Sequence, residues 1–525
     1  SDIDERNHHD VMTRYSAELS WKGIFSEQFQ DTPMVRADSY QIFKLAVQKH
    51  IDLFGVPRRE ANRLVKIQWD ENNPTYFDPH SILWGANQKS TDAAAFAAGV
   101  AQRIRRQTRE ENIREFHDEQ HFGNALWQAF HRYMNWGDPI PWDANLFEEC
   151  IIEFQERRAD RSEALKKMSL NRADPDYVDF LTAKTQWKMK SKSFEAAKPL
   201  QTILVRSDEY VFKFGPLGIY LLRKLLEHCP DYVYIHAKKT EKDLQDWLRD
   251  TPRDTTYVMS DVSGFDSSVR GASVTNELRF MEHFGVPQDL RDAYKEDKMD
   301  FKTATIHFGI MRFSGEIFTF LFNTTHTMSR EALKYRLMPG ERMMGAGDDL
   351  LRFSSKPVSP EYFPYSAMDP TIEKRFEDVR GEFCSFITKN GITVKDPRIL
   401  WRRLAGQVER GKIHDVVLGY FLHFALNYRN RDDLFDILNE DEMDHQMRVN
   451  NFFFREAGKL SKMAKKIDWS RVHVDEEHRT AGTAAGALTF LHVINEYLLS
   501  PISAITESEV ESAYSAASSS SYLYD

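Results

Sequence analysis

Three cysteines in 525 residues are too few to build a framework. Cys150, Cys229 and Cys384 lie far apart and leave one over. That excludes a disulfide scaffold and a cysteine-based zinc site, and it fits buried thiols in a reducing compartment. Long hydrophobic runs are missing too. The longest apolar stretches, Val416–Leu426 and Leu488–Ile502, are short or interrupted by His and Glu, so neither is expected to span a bilayer. The start, Ser-Asp-Ile-Asp-Glu, has no basic residues and no apolar core, so no secretory signal is expected. The first residue is not Met, as in a processed piece of something longer or a trimmed chain. Positive charge is not in excess: 80 acidic residues against 70 Lys and Arg give a net charge of −10. A uniformly basic nucleic-acid coat is thereby excluded, while a local basic channel is not. No repeated unit is visible.

What the chain does have is aromatic bulk. Its 36 Phe predict large buried cores and rule out disorder over most of its length. At about 150 residues per domain, three to four domain-sized units are expected. Residues 1–150 are polar, with helices predicted at Asp38–Leu53, Thr91–Glu110 and Asn124–Met134 from apolar positions three and four apart. Residues 151–200 are strongly charged. Short β-rich runs follow at Gln201–Val205, Tyr257–Ser260, Met343–Gly345 and Leu350–Phe353, alternating with helical text. Helices are predicted again at Val416–Asn427, Asp441–Lys459 and Gly486–Leu499, and the Ser/Ala/Tyr-rich tail Glu507–Asp525 is expected to be a linker or disordered.

Four segments carry chemistry. In Met259-Ser-Asp261-Val-Ser-Gly-Phe-Asp266 a β run delivers one carboxylate to a sheet edge, and the turn after it can fold a second back beside the same cleft. Taken alone, such a pair is more often a helix cap. In Gly345-Ala-Gly347-Asp348-Asp349-Leu350 an acidic pair after glycines, flanked by apolar residues, predicts a β-hairpin with Asp348 and Asp349 at its tip. Adjacent carboxylates repel unless a cation sits between them. Two strand-borne sites, Asp261 and Asp348/Asp349, could converge on two divalent ions suited to in-line phosphoryl displacement. Between them lies Arg312-Phe-Ser314-Gly315-Glu-Ile-Phe-Thr319-Phe-Leu-Phe-Asn323, a flexible loop opening a helix. Thr319 and Asn323 share one face of that helix and could read a ribose; buried, satisfied polar residues are the plainer account. The fourth segment is basic: Lys184, Lys188, Lys190, Lys192, Lys198 and, at the end of a β run, Arg206. Fixed cations hold phosphates, although a charge run is usually a solvated face.

In this order and spacing the segments resemble the RNA-dependent RNA polymerases of positive-strand RNA viruses. Asp261-x4-Asp266 looks like motif A, Ser314-Gly315-x3-Thr319-x3-Asn323 like motif B, Gly347-Asp348-Asp349 like motif C, and Lys198 with Arg206 like motif F. The finer likeness is to the alphavirus-like supergroup and its tymovirus-like branch. It rests on Lys198-Pro-Leu-Gln201-Thr-Ile before Gly215-Pro216, on Ile310-Met-Arg-Phe-Ser-Gly-Glu316, and on Phe383-Cys-Ser-Phe with Gly391-Ile and Lys395-Asp-Pro397. It covers about residues 180–430; the chain departs from the branch at Phe318, Phe320 and Ala346.

The resemblance implies an α+β right hand of fingers, palm (antiparallel sheet plus helices) and helical thumb. Its parts would be an N-terminal extension and part of the fingers at 1–150, fingers at 151–255 with a return segment at 286–311, palm at 256–285 and 312–415, thumb at 416–506, and a flexible tail at 507–525. It implies template-directed nucleotidyl transfer from NTPs to an RNA 3′-hydroxyl with two Mg²⁺ or Mn²⁺ ions. Asp261, Asp348 and Asp349 would be catalytic metal ligands. Lys198 and Arg206 would hold the triphosphate. Asp266, Ser314, Gly315, Thr319 and Asn323 would bind the nucleotide and its 2′-hydroxyl, and Lys389 or Lys395 would protonate pyrophosphate. Implied partners are RNA template and nascent RNA, NTPs and other viral replication proteins, in a cytoplasmic replication complex of the host cell with indirect membrane association.

Two look-alikes are set aside. Gly406-x4-Gly411-Lys412 is followed by Ile413 rather than Ser or Thr, and helical text precedes it, so no ATPase loop is expected. His117-Asp-Glu-Gln-His121 puts two His on one helix face but lacks the Glu of the metalloprotease pattern. Two rival functions remain. A reverse transcriptase would need a bulky residue against the 2′-hydroxyl where this chain has Asp266 and Asn323. A non-catalytic RNA-binding or assembly protein would have lost at least one metal carboxylate, and all three are present.

Overall fold

The computed structural model describes residues 103–158, 180–183, 201–239, 241–303, 307–354, 363–409 and 430–466, together with 76–77, 86–87, 420, 423–424 and 427–428. The predicted helices Asp38–Leu53 and Gly486–Leu499, the tail, Lys184, Lys188, Lys190, Lys192, Lys198 and most of Val416–Asn427 lie outside the described residues. Helix and sheet are mixed throughout. The chain divides into two compact units, Ser1–Ile235 with Ser260–Phe376, and His236–Met259 with Glu377–Asp525.

In the first unit, helices α1 (Arg109–Asp118) and α2 (Gln120–Tyr133) precede α3 (Ala144–Arg157). Strands β1 (Phe180–Ala183) and β2 (Thr202–Val205) pair antiparallel before the long helix α4 (Asp208–Glu227) and strand β3 (Val233–Ile235). Beyond helix α5 (Glu241–Leu248) of the second unit come β4 (Thr256–Ser263), which enters the first unit at Ser260, the short turn α6 (Phe265–Ser268), α7 (Gly271–His283) and α8 (Gln288–Met299). Helix α9 (Thr319–Lys334), hairpin strands β5 (Met343–Ala346) and β6 (Asp349–Ser354), and β7 (Ile372–Asp378) follow. The five-stranded sheet has the order β3-β5-β6-β4-β7. It is mixed, not purely antiparallel as the resemblance implied: β3 runs parallel to β5, Val233 opposite Met343. More than a hundred residues separate those strands, which supplies the crossover that a parallel pair requires.

Apolar spacing explains the packing. Phe122, Leu126, Trp127, Phe130 and Tyr133 recur three and four apart along α2 and are all buried, on the side packed against α7 and α9. Helix α9 lies between α2 and the β5–β6 hairpin, so it is buried almost all round, from Leu321 to Ala332. Phe318 stacks on Phe322 at 5.2 Å, and Tyr294 meets Phe318 edge-on at 5.3 Å.

Two expectations fail here. The helix predicted over Thr91–Glu110 does not run through 104–108. Arg106 bridges Phe308 instead, the Gly309 amide donates to the Arg105 carbonyl, and Thr108 with Glu111 forms a capping box that starts α1. His117 and His121 do not share a helix, because the chain breaks at Glu119 between α1 and α2; His121 Nε2 lies 3.2 Å from the Tyr365 hydroxyl.

The second unit carries an antiparallel sheet of β8 (Gly381–Phe383), β9 (Phe386–Lys389) and β10 (Ile392–Lys395). Both hairpins turn on two left-handed residues, Cys384-Ser385 and Asn390-Gly391, as type I′ turns require. Ile387 and Val394 pack with Leu434, Ile437 and Leu438. Helix α10 (Pro397–Glu409) passes straight through Gly406, which disposes of the ATPase-loop pattern there. It packs on α11 (Glu440–Lys466), the helix predicted over Asp441–Lys459. Among the described residues no helix is long and apolar enough to cross a membrane.

Candidate active site

The hairpin β5–β6 forms, but only one of the two acids expected at its tip is there: Ala346 lies opposite Asp349, which opens β6, so the two-residue loop is Gly347 and Asp348. Gly347 adopts φ +60°, the left-handed value that a tight hairpin turn demands at its first loop position. The turn is also tied to helix α9. The Thr324 hydroxyl accepts from the Gly347 amide at 2.8 Å while donating to the Phe320 carbonyl at 2.7 Å. The Thr327 hydroxyl lies 2.8 Å from the Asn323 carbonyl and 3.2 Å from that of Gly347, so one proton serves both.

Strand β4 neighbours β6 in the sheet and carries Asp261, so the strand order brings Asp261 beside the hairpin tip. Asp261, Asp348 and Asp349 are all exposed. Protein packed around Asp348 nevertheless withholds water and raises its pKa, and the charge of Asp261 raises it further, against a hydrogen bond from its own amide. Two acids crowding each other at a solvent-facing edge are the donor set that a hard divalent cation takes. Among the described residues no group of three or more His, Cys, Asp or Glu is arranged to hold a metal.

Asp266 sits in the short α6 turn just beyond β4, half-buried. Its pKa is pushed up to about 6, chiefly by burial; Asp348 and Glu316 add to this, and Arg312 and Arg103 oppose it. The folded chain therefore holds this proton more tightly than the unfolded chain does. The group's contribution to stability is complete below the ordinary aspartate pKa and is lost as pH rises through about 6. In EDTA, Asp266→Asn is expected to stabilise the chain at pH 7 by on the order of 1–3 kcal/mol, the gain shrinking toward pH 4. Thermal melts at the two pH values test this, and a variant that matches wild type at both would show an ordinary carboxyl.

The loop between α8 and α9 is held from several sides. Gly315 adopts φ +98°, and a Cβ there would sit 2.6 Å from the Leu204 carbonyl, so only glycine fits. The Leu204 amide donates to the Ser314 carbonyl at 2.9 Å, clipping β2 to the loop. Thr319 donates to the Phe313 carbonyl at 2.6 Å. Glu316 is buried; burial opposes its charge, but Lys298, Arg206 and Arg312 outweigh it and hold its carboxyl below the usual range. Asn323 is buried, and its Oδ1 accepts from Arg312 Nε at 2.9 Å.

Arg206 is not open to the carboxylate edge. Its guanidinium is buried, paired with Asp297 and Glu316, and lies over the Tyr210 and Phe301 rings. Lys389 and Lys395 belong to the second unit. Lys389 donates to the Asp436 carbonyl at 3.0 Å, and Lys395 lies over Phe386 with burial lowering its pKa. Sequence reasoning overlooked Thr324, Thr327, Arg312 and Glu277. The two threonines lie three apart on one face of α9, a helical spacing that could have flagged them; the Arg312–Glu277 pair leaves no local signal.

Comparison with known proteins covers the stretch of chain that carries these residues. A family described as RNA dependent RNA polymerase matches residues 112–390. An RNA replication protein of Sclerotinia sclerotiorum debilitation-associated virus is 29% identical over 413 residues, covering 74% of this chain and 24% of its own length. The RNA replication protein of Strawberry mild yellow edge-associated virus is 30% identical over 390 residues, covering 72% of this chain and 29% of its own. An RNA-directed RNA polymerase of Apple chlorotic leaf spot virus is 28% identical over 371 residues, 69% of this chain and 19% of its own. The chain thus spans about a quarter of the length of the curated relatives it matches. With the family match covering more than half of the residues and including Asp261, Asp266, Asn323 and the Gly347-Asp348-Asp349 turn, the chain belongs to the RNA-dependent RNA polymerase family.

Proposed function

We propose that this chain performs template-directed RNA synthesis: the 3′-hydroxyl of the growing strand attacks the α-phosphate of an NTP, the new phosphodiester bond forms, and pyrophosphate leaves. The observation that carries this reading is the pair of acids, Asp261 and Asp348, brought together by neighbouring strands and crowding each other electrostatically. Asp261 and Asp348, with Asp349 beside them, would hold two divalent cations, Mg²⁺ or Mn²⁺. When bound, such ions lower the pKa of the attacking hydroxyl and stabilise the leaving oxygen. Asp266 and Asn323 would read the ribose 2′-hydroxyl, with Ser314, Gly315 and Thr319 shaping the pocket wall. Lys198 is the remaining candidate for the triphosphate. The buried pairing of Arg206 favours a bracing role for it beneath the nucleotide, and Lys389 or Lys395 as proton donor to pyrophosphate is the weakest of these assignments.

The same reading assigns an N-terminal extension and part of the fingers to 1–150, fingers to 151–255 with 286–311, palm to 256–285 and 312–415, and a helical thumb to 416–506. The quoted motifs favour the tymovirus-like branch of the alphavirus-like viruses. The names of the relatives, replication proteins and polyproteins, support RNA and other replication proteins as partners in a host-cell replication complex. Primer extension on a short RNA template tests the reading. The purified chain should incorporate NTPs, prefer them to dNTPs, and stop in EDTA. A preference for dNTPs would make it a reverse transcriptase, and RNA binding without incorporation would make it a non-catalytic protein.

A further inference from the structure

Arg312 has the largest side chain among the fully enclosed residues of the first unit, with 0% exposure. Burying a guanidinium is costly unless its donors are matched. Here they are matched unevenly. One terminal nitrogen pairs with Glu277, whose other oxygen accepts from the Tyr294 hydroxyl at 2.9 Å. Nε donates to Asn323 Oδ1 at 2.9 Å, the backbone amide donates to the Asp266 carbonyl at 2.9 Å, and Nη1 has no hydrogen-bond partner. One residue therefore touches both groups that would read the 2′-hydroxyl, Asn323 through its side chain and Asp266 through its backbone.

The bond to Asn323 is chemically decisive. A guanidinium only donates, so the Asn323 atom facing it must be the carbonyl oxygen, and the amide nitrogen is turned to the other side. A ribose 2′-hydroxyl has one proton to give and lone pairs that accept. Between the Asp266 carboxylate, which accepts, and the Asn323 NH₂, which donates, both of its capacities are used. Were the amide reversed, two acceptors would face one proton and one would go unmatched.

We infer that Arg312 is a positioning residue for sugar selection, fixing the Asn323 amide so that it offers donors, not an acceptor, to the 2′-hydroxyl. Arg312 touches neither nucleotide nor metal in this role. The inference rests on the ribose-reading role proposed above for Asn323 and Asp266.

The test is the ratio of kcat/KM for NTP over dNTP in primer extension by the full chain. Arg312→Lys keeps a positive charge for Glu277 but loses the Nε donor. Glu277→Leu/Arg312→Met removes the buried pair together, so no lone charge is left should the lysine variant fail to fold. Asn323→Ala is measured alongside. The expected result is a ratio lowered about tenfold in either Arg312 variant, approaching that of Asn323→Ala, through faster use of dNTP relative to NTP. If Asn323→Ala lowers the ratio but both Arg312 variants keep the wild-type ratio, or lose NTP and dNTP use in parallel, the inference is overturned and Arg312 is only a structural ion-pair partner. If Asn323→Ala itself leaves the ratio unchanged, the ribose-reading role fails, and the inference fails with it for that separate reason.

Discussion

Asp348→Asn should lower nucleotide incorporation by about 10³-fold or more while the chain melts no lower than wild type. The substitution keeps the size and hydrogen-bonding capacity of the side chain at the hairpin tip and removes only its charge. Stability should not suffer, because Asp348 is already disfavoured as an anion by its surroundings and by Asp261. The bond its carboxylate takes from its own amide can be kept by the Asn oxygen, and the ties to α9 run through the backbone of Gly347. A large loss of activity with an intact melting curve therefore isolates the charge. Near wild-type turnover in the purified variant, measured across a Mg²⁺ titration, would remove Asp348 from the proposed cation site.

Asn323→Ala should reduce discrimination against dNTP by roughly 5- to 150-fold, the range expected when a hydrogen bond worth about 1–3 kcal/mol is lost. It carries a second, separable cost. With Oδ1 gone, Arg312 Nε is left buried without its acceptor, which should cost about 1–3 kcal/mol of stability. Single-turnover incorporation reads the first effect and thermal unfolding the second. Loss of stability with an unchanged NTP-to-dNTP ratio would make Asn323 a structural residue.

The hairpin was legible because it obeys local rules. Apolar residues on either side of Gly347-Asp348-Asp349 predict it, and a two-residue loop with a left-handed glycine formed, one residue earlier than the acidic pair suggests. The β run before Asp261 was legible too, although β4 continues to Ser263, two residues past that acid. What was not legible depends on distant partners. Arg206 reads as a phosphate clamp because it ends a β run after a lysine-rich segment. Asp297 and Glu316, ninety and more residues away, capture it in the folded chain. Arg312 takes no role from sequence, because nothing near it announces Glu277 or the amide of Asn323. The helix expected over Thr91–Glu110 fails through 104–108 because a distant partner, Phe308, bridges Arg106 there and the Thr108 cap starts a new helix.

The ties from Thr324 and Thr327 to Gly347 also bear on peptide flipping. Tight two-residue turns interconvert by rotating the central peptide plane, which swaps its N–H and C=O directions and swings the next side chain. In this hairpin the central plane is the one between Gly347 and Asp348, and its carbonyl is the group that Thr327 touches. The preceding plane is fixed through the Gly347 amide by a Thr324 hydroxyl whose own proton is already engaged with Phe320. Rotation would break the Thr327 contact to the Gly347 carbonyl. Asp348 is thus held to one departure angle from the hairpin even though repulsion from Asp261 pushes it toward another.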